Sequence, residues 1–541
     1  MPRTLLKELR VIVALAMLAG LTAALVDFRG LLPVQVGHWL ASAQLVPSSV
    51  ALVTGAALSV ACIIIVVVTV AVGRVYCSAI CPLGILQDVI ARVFAWGRRR
   101  EGPLLPYARP WTWLRQLVFW VSVAGVAAGG AGVTLALLDP YSNFGRIASG
   151  LFRPGVTLAN NLVVGPANAL GLRSLYRVEP PWAGGAALHQ PALVLLLIVV
   201  LVALRGRLYC NTLCPVGTLL GMLARRAAAR LAINQPACSK CGDCLHVCKA
   251  QCIDLRTKRI DFSRCVACYN CVSACPERGI GYRFTWKRQP VARPVAPASG
   301  QTALSTAEPG RRAFLAGTGA AVAASLGGGS LLRATVQALP AGRSAGTEGN
   351  QREPEPSRAI CPPGAHSVDR FLERCTACHL CVTACPTHVL RPSFLEYGMA
   401  GVMMPRLDFT QAACNYTCRA CGEACPDGAI SLLDLADKQL TRIGEARFDE
   451  EKCIVKAKGT DCAACSEQCP TQAVTTVPYG RNLRLPQLNR DLCIGCGGCE
   501  HACPVQPLKA IVVTGHRRHS RAMKAVGKKA AAPRPAGDFP F

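Results

Sequence analysis

Thirty-one cysteines stand in a chain of 541 residues, and 24 of them fall into six tetrads whose spacing suits iron–sulfur ligation better than a disulfide framework. The first tetrad is Cys238, Cys241, Cys244 and Cys248. The second is Cys265, Cys268, Cys271 and Cys275, before Pro276. The third is Cys375, Cys378, Cys381 and Cys385, before Pro386. The fourth is Cys414, Cys418, Cys421 and Cys425, the fifth Cys453, Cys462, Cys465 and Cys469, and the sixth Cys493, Cys496, Cys499 and Cys503, each again followed by proline. In a C-x2-C-x2-C-x3-C-P run, a tight loop puts three thiolates on three irons of one cubane. The fourth cysteine, where the proline turns the chain, reaches the neighbouring [4Fe–4S] cluster. Tetrads one and two are therefore expected to exchange last ligands. One cluster takes Cys238, Cys241, Cys244 and Cys275, the other Cys265, Cys268, Cys271 and Cys248. The spacing does not fix which of tetrads three to six pair. Structural zinc prefers two separated C-x2-C pairs, and four continuous C-x2-C-x2-C runs argue against it. Tetrads four and five are irregular, with first gaps of three and eight residues. In tetrad one, Lys249 replaces the usual proline and Cys252 offers a competing ligand.

A second cysteine pattern is duplicated. Gly73-Arg74-Val75-Tyr76-Cys77-Ser78-Ala79-Ile80-Cys81-Pro82-Leu83-Gly84 is matched by Gly206-Arg207-Leu208-Tyr209-Cys210-Asn211-Thr212-Leu213-Cys214-Pro215-Val216-Gly217. Two such copies imply a repeated two-helix unit. If each copy is helical, cysteines four apart share a face. Cys77, Cys81, Cys210 and Cys214 are then candidate redox or metal ligands, able to converge on a seventh metal or cluster. The plainer readings are packing residues or a regulatory thiol pair. Cys62, in an apolar run, reads as a packing residue, and Cys361 has no assigned role.

Apolar segments must position these thiols. Half the residues (51%) are hydrophobic and the mean hydropathy is +0.32, too apolar for a soluble basic protein. Four runs in the first 210 residues predict spanning helices: about Val11–Val26, Val50–Gly73, Leu114–Leu138 and Pro191–Leu204. Lys and Arg crowd the N-terminus, the loop from Arg74 to Arg109, and the stretch from Arg205 to Arg230. Both ends of this unit should therefore face the cytoplasm. The net charge of +28 does not signal nucleic-acid binding, because no basic stripe is interleaved with aromatics.

After the Pro-, Ala- and Ser-rich linker 288–310 comes Gly310-Arg311-Arg312-Ala313-Phe314-Leu315, followed by an uncharged run to Leu332. Twin arginines before a weakly apolar stretch describe a Tat export signal. Clusters are built in the cytoplasm, so a cluster domain bound for the far side must cross folded, and Tat carries folded cargo. Val336-Gln337-Ala338 could be a cleavage site. If it is not cut, residues 313–332 form a fifth helix.

The expected fold class is multi-domain: an α-helical transmembrane unit plus α+β bacterial-ferredoxin-like [4Fe–4S] domains. Residues 1–232 form the membrane unit, 233–287 a cytoplasmic two-cluster domain and 311–339 the signal or fifth helix. Residues 340–359 are a second linker, 360–512 a periplasmic four-cluster domain, and 513–541 a basic disordered tail.

The first 290 residues resemble NapH-type membrane ferredoxins, which have four helices, two CxxxCP motifs and two clusters. From about residue 305 the chain resembles NapG/MauM-type ferredoxins. The shared features are the Tat signal, a PPGA element (Pro362-Pro363-Gly364-Ala365, after Cys361) and four cluster motifs including the two irregular ones. The chain thus looks like a fusion of the two. The resemblance implies electron transfer from membrane quinol through six [4Fe–4S] clusters to a periplasmic acceptor, such as a nitrate reductase system. The expected partners are membrane quinol, a periplasmic reductase or carrier, and the Tat translocase. The rival functions are a helper that matures or repairs a periplasmic metalloenzyme, and a redox sensor, for which no output domain is visible. A quinol site needs an apolar slot with a few polar groups. Asp139, Tyr141 and Arg146 at the outer end of the third helix are the candidates.

Overall fold

The computed structural model describes residues 3–53, 55, 60–97, 107, 110–127, 137–169, 176–178, 186–284, 359–480 and 482–524. The twin-arginine segment and both linkers lie outside the described residues, apart from Ala359.

The chain opens with helix α1 (Arg3–Val26), 24 residues and about 36 Å long at 1.5 Å per residue. Helices α2 (Val34–Ser42) and α3 (Leu45–Val53) follow, bent by 86° to each other. Tyr76 staples that bend: its hydroxyl donates to Gln44 Oε1 (3.0 Å) and accepts from the Leu45 amide (3.2 Å). Next come α4 (Val60–Val72), the short α5 (Tyr76–Ala79), α6 (Pro82–Gly97) and α7 (Thr112–Ala127). Helix α8 (Pro140–Ile147) runs through a five-residue π turn, Ala148–Phe152, into α9 (Arg153–Ala169). The unit ends with α10 (Ala186–Arg205), α11 (Leu208–Thr212) and α12 (Pro215–Ala224).

Among the described residues two helical stretches are long and apolar enough to cross a membrane, Leu5–Val26 and Leu188–Arg205, and the bent α2–α3 pair qualifies if counted as one span. The run Val50–Gly73, expected as one helix, is divided: Val50 belongs to α3 and α4 starts at Val60. Within the run Leu114–Leu138, α7 is described to Ala127 and residues 128–136 lie outside the described residues. Ile12, Leu15, Ile63, Val67, Leu117, Val121, Leu193 and Leu196 all leave large apolar side chains exposed on these helices. Apolar surface of that extent marks a face that something apolar covers.

Two units built from two-stranded antiparallel ribbons follow. In the first, strand β1 (Ala229–Ile233) pairs with β4 (Ile280–Phe284), and β2 (Ile253–Asp254) with β3 (Arg259–Ile260). Strand β1 starts at Ala229, a few residues before the expected boundary. In the second unit, β5 (Leu390–Pro392) pairs with β6 (Pro405–Leu407), β8 (Val474–Tyr479) with β9 (Leu483–Leu488), and β7 (Thr441–Phe448) with β10 (Ile511–Arg521). Strand β10 corrects the expected disordered tail from residue 513. Arg517, Arg518 and Arg521 are strand residues, because the alternating Ile511 and Val513 bury one face against β7. In the same unit, Gly364 of the PPGA element (φ +96°) packs its backbone against Ser431, where a Cβ would lie 2.3 Å from the Ser431 carbonyl.

The two units lie against opposite ends of α1. Leu6, near its start, packs into the core of the first unit with Phe262 and Cys271. Near its end, Gly37 of α2 packs between Ala24 of α1 and Leu380 of the second unit. The first unit is clamped by ions: Asp88 of α6 binds Arg207 (2.8 Å), Lys249 (3.1 Å) and Arg10 (3.4 Å). Burial opposes ionisation of Asp88, but the Arg207 and Lys249 cations win and hold its carboxyl down to about 2. Lys249 thus has a structural reason to replace proline in tetrad one.

Candidate iron–sulfur centres and the cavity between the units

The four regular tetrads share one local shape. The residues on either side of the second cysteine take left-handed dihedrals: Lys240 and Gly242, Ala267 and Tyr269, Ala377 and His379, Gly495 and Gly497. Left-handed residues turn the chain back on itself, which lets successive cysteines face one point. Backbone amides aim at several sulfurs, as in Gly279 N–H to Cys275 Sγ (3.3 Å) and Ala377 N–H to Cys375 Sγ (3.4 Å). Such bonds favour thiolate and tune cluster potentials.

Long-range packing then sorts the thiols into sets of four. Cys238, Cys241, Cys244 and Cys275 line one small cavity. Cys271 has Cys268, Cys265 and Cys248 as its strongest thiol neighbours, ahead of Cys244 of the other set. Cys275 lies with the first three cysteines of tetrad one, and Cys248 with those of tetrad two, the grouping that an exchange of last ligands would need. In the second unit, Cys381 has Cys378, Cys375 and Cys425 as its strongest thiol neighbours, ahead of Cys421, and Cys421 has Cys414, Cys385 and Cys418. Cys453, Cys462, Cys465 and Cys503 line another cavity, and Cys499 has Cys496, Cys493 and Cys469 as its strongest thiol neighbours, ahead of Cys465. Cys425 thus sits with tetrad three and Cys385 with tetrad four, and Cys503 with tetrad five and Cys469 with tetrad six, groupings the spacing left open. No three His, Cys, Asp or Glu side chains among the described residues converge tightly enough for a single metal ion.

Cys252 lies 3.7 Å, sulfur to sulfur, from Cys248. It is the competing thiol flagged by the sequence, set beside the second set rather than outside it. Cys361 is fully buried against Tyr397.

The CxxxCP motifs do not form the single helix face that i, i+4 spacing suggested. Proline lacks an amide hydrogen and pushes the residue before it toward extended dihedrals, so each motif breaks at its second cysteine. Cys77 and Cys210 sit in short helices, while Cys214 (φ −80°, ψ 115°) caps the next helix, with Pro215 at its first position. All four thiols are nonetheless brought together and buried at 3–4% exposure, and Cys81 has Cys210, Cys77 and Cys214 as neighbours.

A cavity of about 470 Å³ opens between the helical unit and the second cysteine-rich unit. Its lining includes Arg146, Ser149, Arg153, Leu188, Pro191, His379 and His388. The π turn presents Ser149, whose hydroxyl meets His379 Nδ1 at 3.1 Å. Of the three quinol candidates, only Arg146 lines this cavity. Asp139 caps α8, where its Oδ2 accepts from the Ser142 amide and hydroxyl, both at 2.7 Å. The fully buried Tyr141 faces Cys378. Sequence reading missed His379 and His388. Each lies within three residues of a tetrad cysteine, so the cluster motif masked any second use.

These features define a multi-cluster iron–sulfur protein of the ferredoxin type. A family model described as a 4Fe-4S dicluster domain matches residues 374–430 and 458–508. Models described as 4Fe-4S binding domains match 54–103 with 189–233, and 258–280. The ferredoxin-type protein NapF of Escherichia coli K12 is 30% identical over 160 residues, 30% of this chain and 89% of NapF. The methylamine utilization ferredoxin-type protein MauM of Paracoccus denitrificans is 32% identical over 158 residues, 28% of this chain and 69% of MauM. NapG of Escherichia coli K12 is 30% identical over 161 residues, 27% of this chain and 66% of NapG. No solved structure matches. The chain belongs to the family of ferredoxin-type Nap and Mau proteins, and it carries [4Fe–4S] domains for electron transfer.

Proposed function

We propose that this chain takes electrons from membrane quinol and delivers them through six [4Fe–4S] clusters to a periplasmic reductase or carrier, of which a nitrate-reductase-like system is one type. The observation that carries this reading is the placement of two ferredoxin units at opposite ends of one apolar helical unit. The six ligand sets are those gathered above, each made by exchange between paired tetrads. The first unit faces the cytoplasm, as a NapH-like half. The second faces the periplasm, as a NapG-like half exported by Tat through Arg311 and Arg312. In this arrangement the cavity of about 470 Å³ receives quinol. Its volume suits a small organic ligand. Leu188, Pro191 and Met403 supply apolar walls, and Arg146 and Ser149 polar anchors. A quinol bound there would release two electrons and two protons, and the [4Fe–4S] clusters that the tetrad thiols would hold supply one-electron acceptors.

The test is anaerobic purification of the full chain in detergent, iron and sulfide counting, then mixing with a menaquinol analogue while cluster absorbance and EPR are followed. About 24 irons per chain, from four in each of six clusters, and rapid bleaching are expected. Full loading without reduction would replace quinol oxidation by the maturation-helper reading or by a wire fed from a partner. Low iron with bound zinc would overturn the cluster reading.

A further inference from the structure

We propose that Cys77, Cys81, Cys210 and Cys214 together hold a seventh redox centre, an iron–sulfur cluster shared between the two CxxxCP copies and set between the two ferredoxin units. The inference rests on the cluster reading of the tetrads and extends it into the helical unit.

The first support is symmetry. Each motif's arginine crosses to the other copy. Arg74 donates to the Cys210 carbonyl (3.4 Å), and Arg207 donates to the Cys77 carbonyl (2.7 Å). The glycine closing each motif packs on its own first cysteine. A Cβ on Gly84 would lie 2.4 Å from the Cys77 carbonyl, and one on Gly217 2.1 Å from that of Cys210. Two copies locked in this reciprocal way put both cysteine pairs around one point.

The second support is the hydrogen bonding of the sulfurs. Each of the four has an N–H donor. Arg74 Nη2 lies 3.7 Å from Cys77 Sγ, Gln87 Nε2 donates to Cys210 Sγ (3.2 Å), and the Gly217 amide donates to Cys214 Sγ (3.3 Å). Cys81 has the Gly84 amide. A donor on every sulfur suits thiolates, the form that binds iron.

The third is charge. Arg74 is 0% exposed, and its hydrogen bonds run to Asn211 Oδ1, the Ser263 and Cys210 carbonyls and Cys77 Sγ, none of them a carboxylate. A buried guanidinium is costly without an opposing charge. Four thiolates on a cluster core would supply a net negative one.

Position gives the site its use. One buried core contains all four cysteines together with Val266 of the first ferredoxin unit and Cys378 and Leu380 of the second; Cys268 packs against it. A hydrocarbon layer is about 30 Å thick, and electron tunnelling decays exponentially with distance. A one-electron carrier midway gains an electron from one side and gives it to the other, with no bond made or broken in the protein.

The experiment compares the full chain with Cys77→Ser and, separately, Cys210→Ser, all purified anaerobically and analysed for iron, acid-labile sulfide and low-temperature EPR after stepwise reduction. The wild type is expected to hold two to four irons above the roughly 24 of six cubanes. Each single variant should lose that whole increment and one EPR signal while keeping the rest, because one centre spans both copies. Retention of the other irons shows that the variant folds. Arg74→Gln should keep the increment but lower the potential of that one signal. About 24 irons in the wild type and in both variants, or a disulfide recovered between these cysteines, would overturn the proposal and leave the six-cluster reading standing. Far fewer irons in the wild type would remove that broader reading.

Discussion

The thiols of the ferredoxin tetrads and those of the helical unit reach similar gatherings by opposite routes. In the regular tetrads, three of the four sulfurs come from one short loop bent by left-handed residues, and Cys241 is even exposed. In the helical unit no residue of either motif between its two cysteines is left-handed. There the cysteines are separated by a helix break and buried at 3–4% exposure, and they are held by arginines that cross between repeats. The loop design tolerates solvent and depends on local geometry. The helical design depends on two distant segments packing correctly and on buried charge.

That contrast can be broken most forcefully at the exchanged cysteines. Cys425 belongs to tetrad four by sequence but lies with Cys378 and Cys381 of tetrad three. Cys425→Ala and Cys378→Ala are expected to lose the same EPR signal and about four irons each. Different signals lost would show that tetrads three and four do not exchange.

Next in size is the ion cluster that joins the first ferredoxin unit to the helices. Asp88→Asn leaves Arg207, 1% exposed, without its carboxylate. Loss of one partner of a buried pair costs about 3–5 kcal/mol. Limited proteolysis and thermal melting in detergent should show the first unit released early and the second unchanged. Coincident loss of both would mean that the clamp supports the whole molecule.

A smaller effect separates the two designs directly. Gly217→Ala pushes a methyl to 2.1 Å from the Cys210 carbonyl, whereas Gly242→Ala, at φ +95°, meets nothing within 4 Å. The first is an overpacking change of about 1–3 kcal/mol. The second carries only the left-handed strain of about 1–2 kcal/mol. Melting curves should rank them in that order, and the reverse order would mean that the tetrad loop is the stiffer of the two.

The smallest change is Asp139→Ala, which removes a helix cap worth about 1 kcal/mol. Quinol-driven reduction should survive it, because Asp139 does not line the cavity. Abolished reduction with an unchanged melting point would return Asp139 to the quinol site.

What could be read from the sequence follows the same division. The tetrads, and the grouping of Cys275 with the first and Cys248 with the second, were visible because the motif is written in short spacings. The pairing of the later four was not, since it depends on how ribbons such as β7–β10 bring tetrad five to six. The CxxxCP repeat was visible, but the helix break was misjudged, because i, i+4 spacing was followed through a Cys-Pro step that helices do not tolerate. Strand β10 was hidden by Arg517, Arg518 and Arg521, which stay exposed beyond the buried Ile511 and Val513, past an irregularity after Gly515. The cavity residues His379 and His388 could not be found by spacing, because only tertiary packing brings them to α8, the π turn and α10.

The central claim is that one chain carries clusters on both sides of a membrane. It is tested most directly by fusing a reporter that is active only in the periplasm after Phe541 and comparing Tat-competent and Tat-deficient cells. Activity only in the Tat-competent cells is expected. Activity that persists without Tat, or a fusion found folded and inactive in the cytoplasm of competent cells, would contradict the two-sided arrangement.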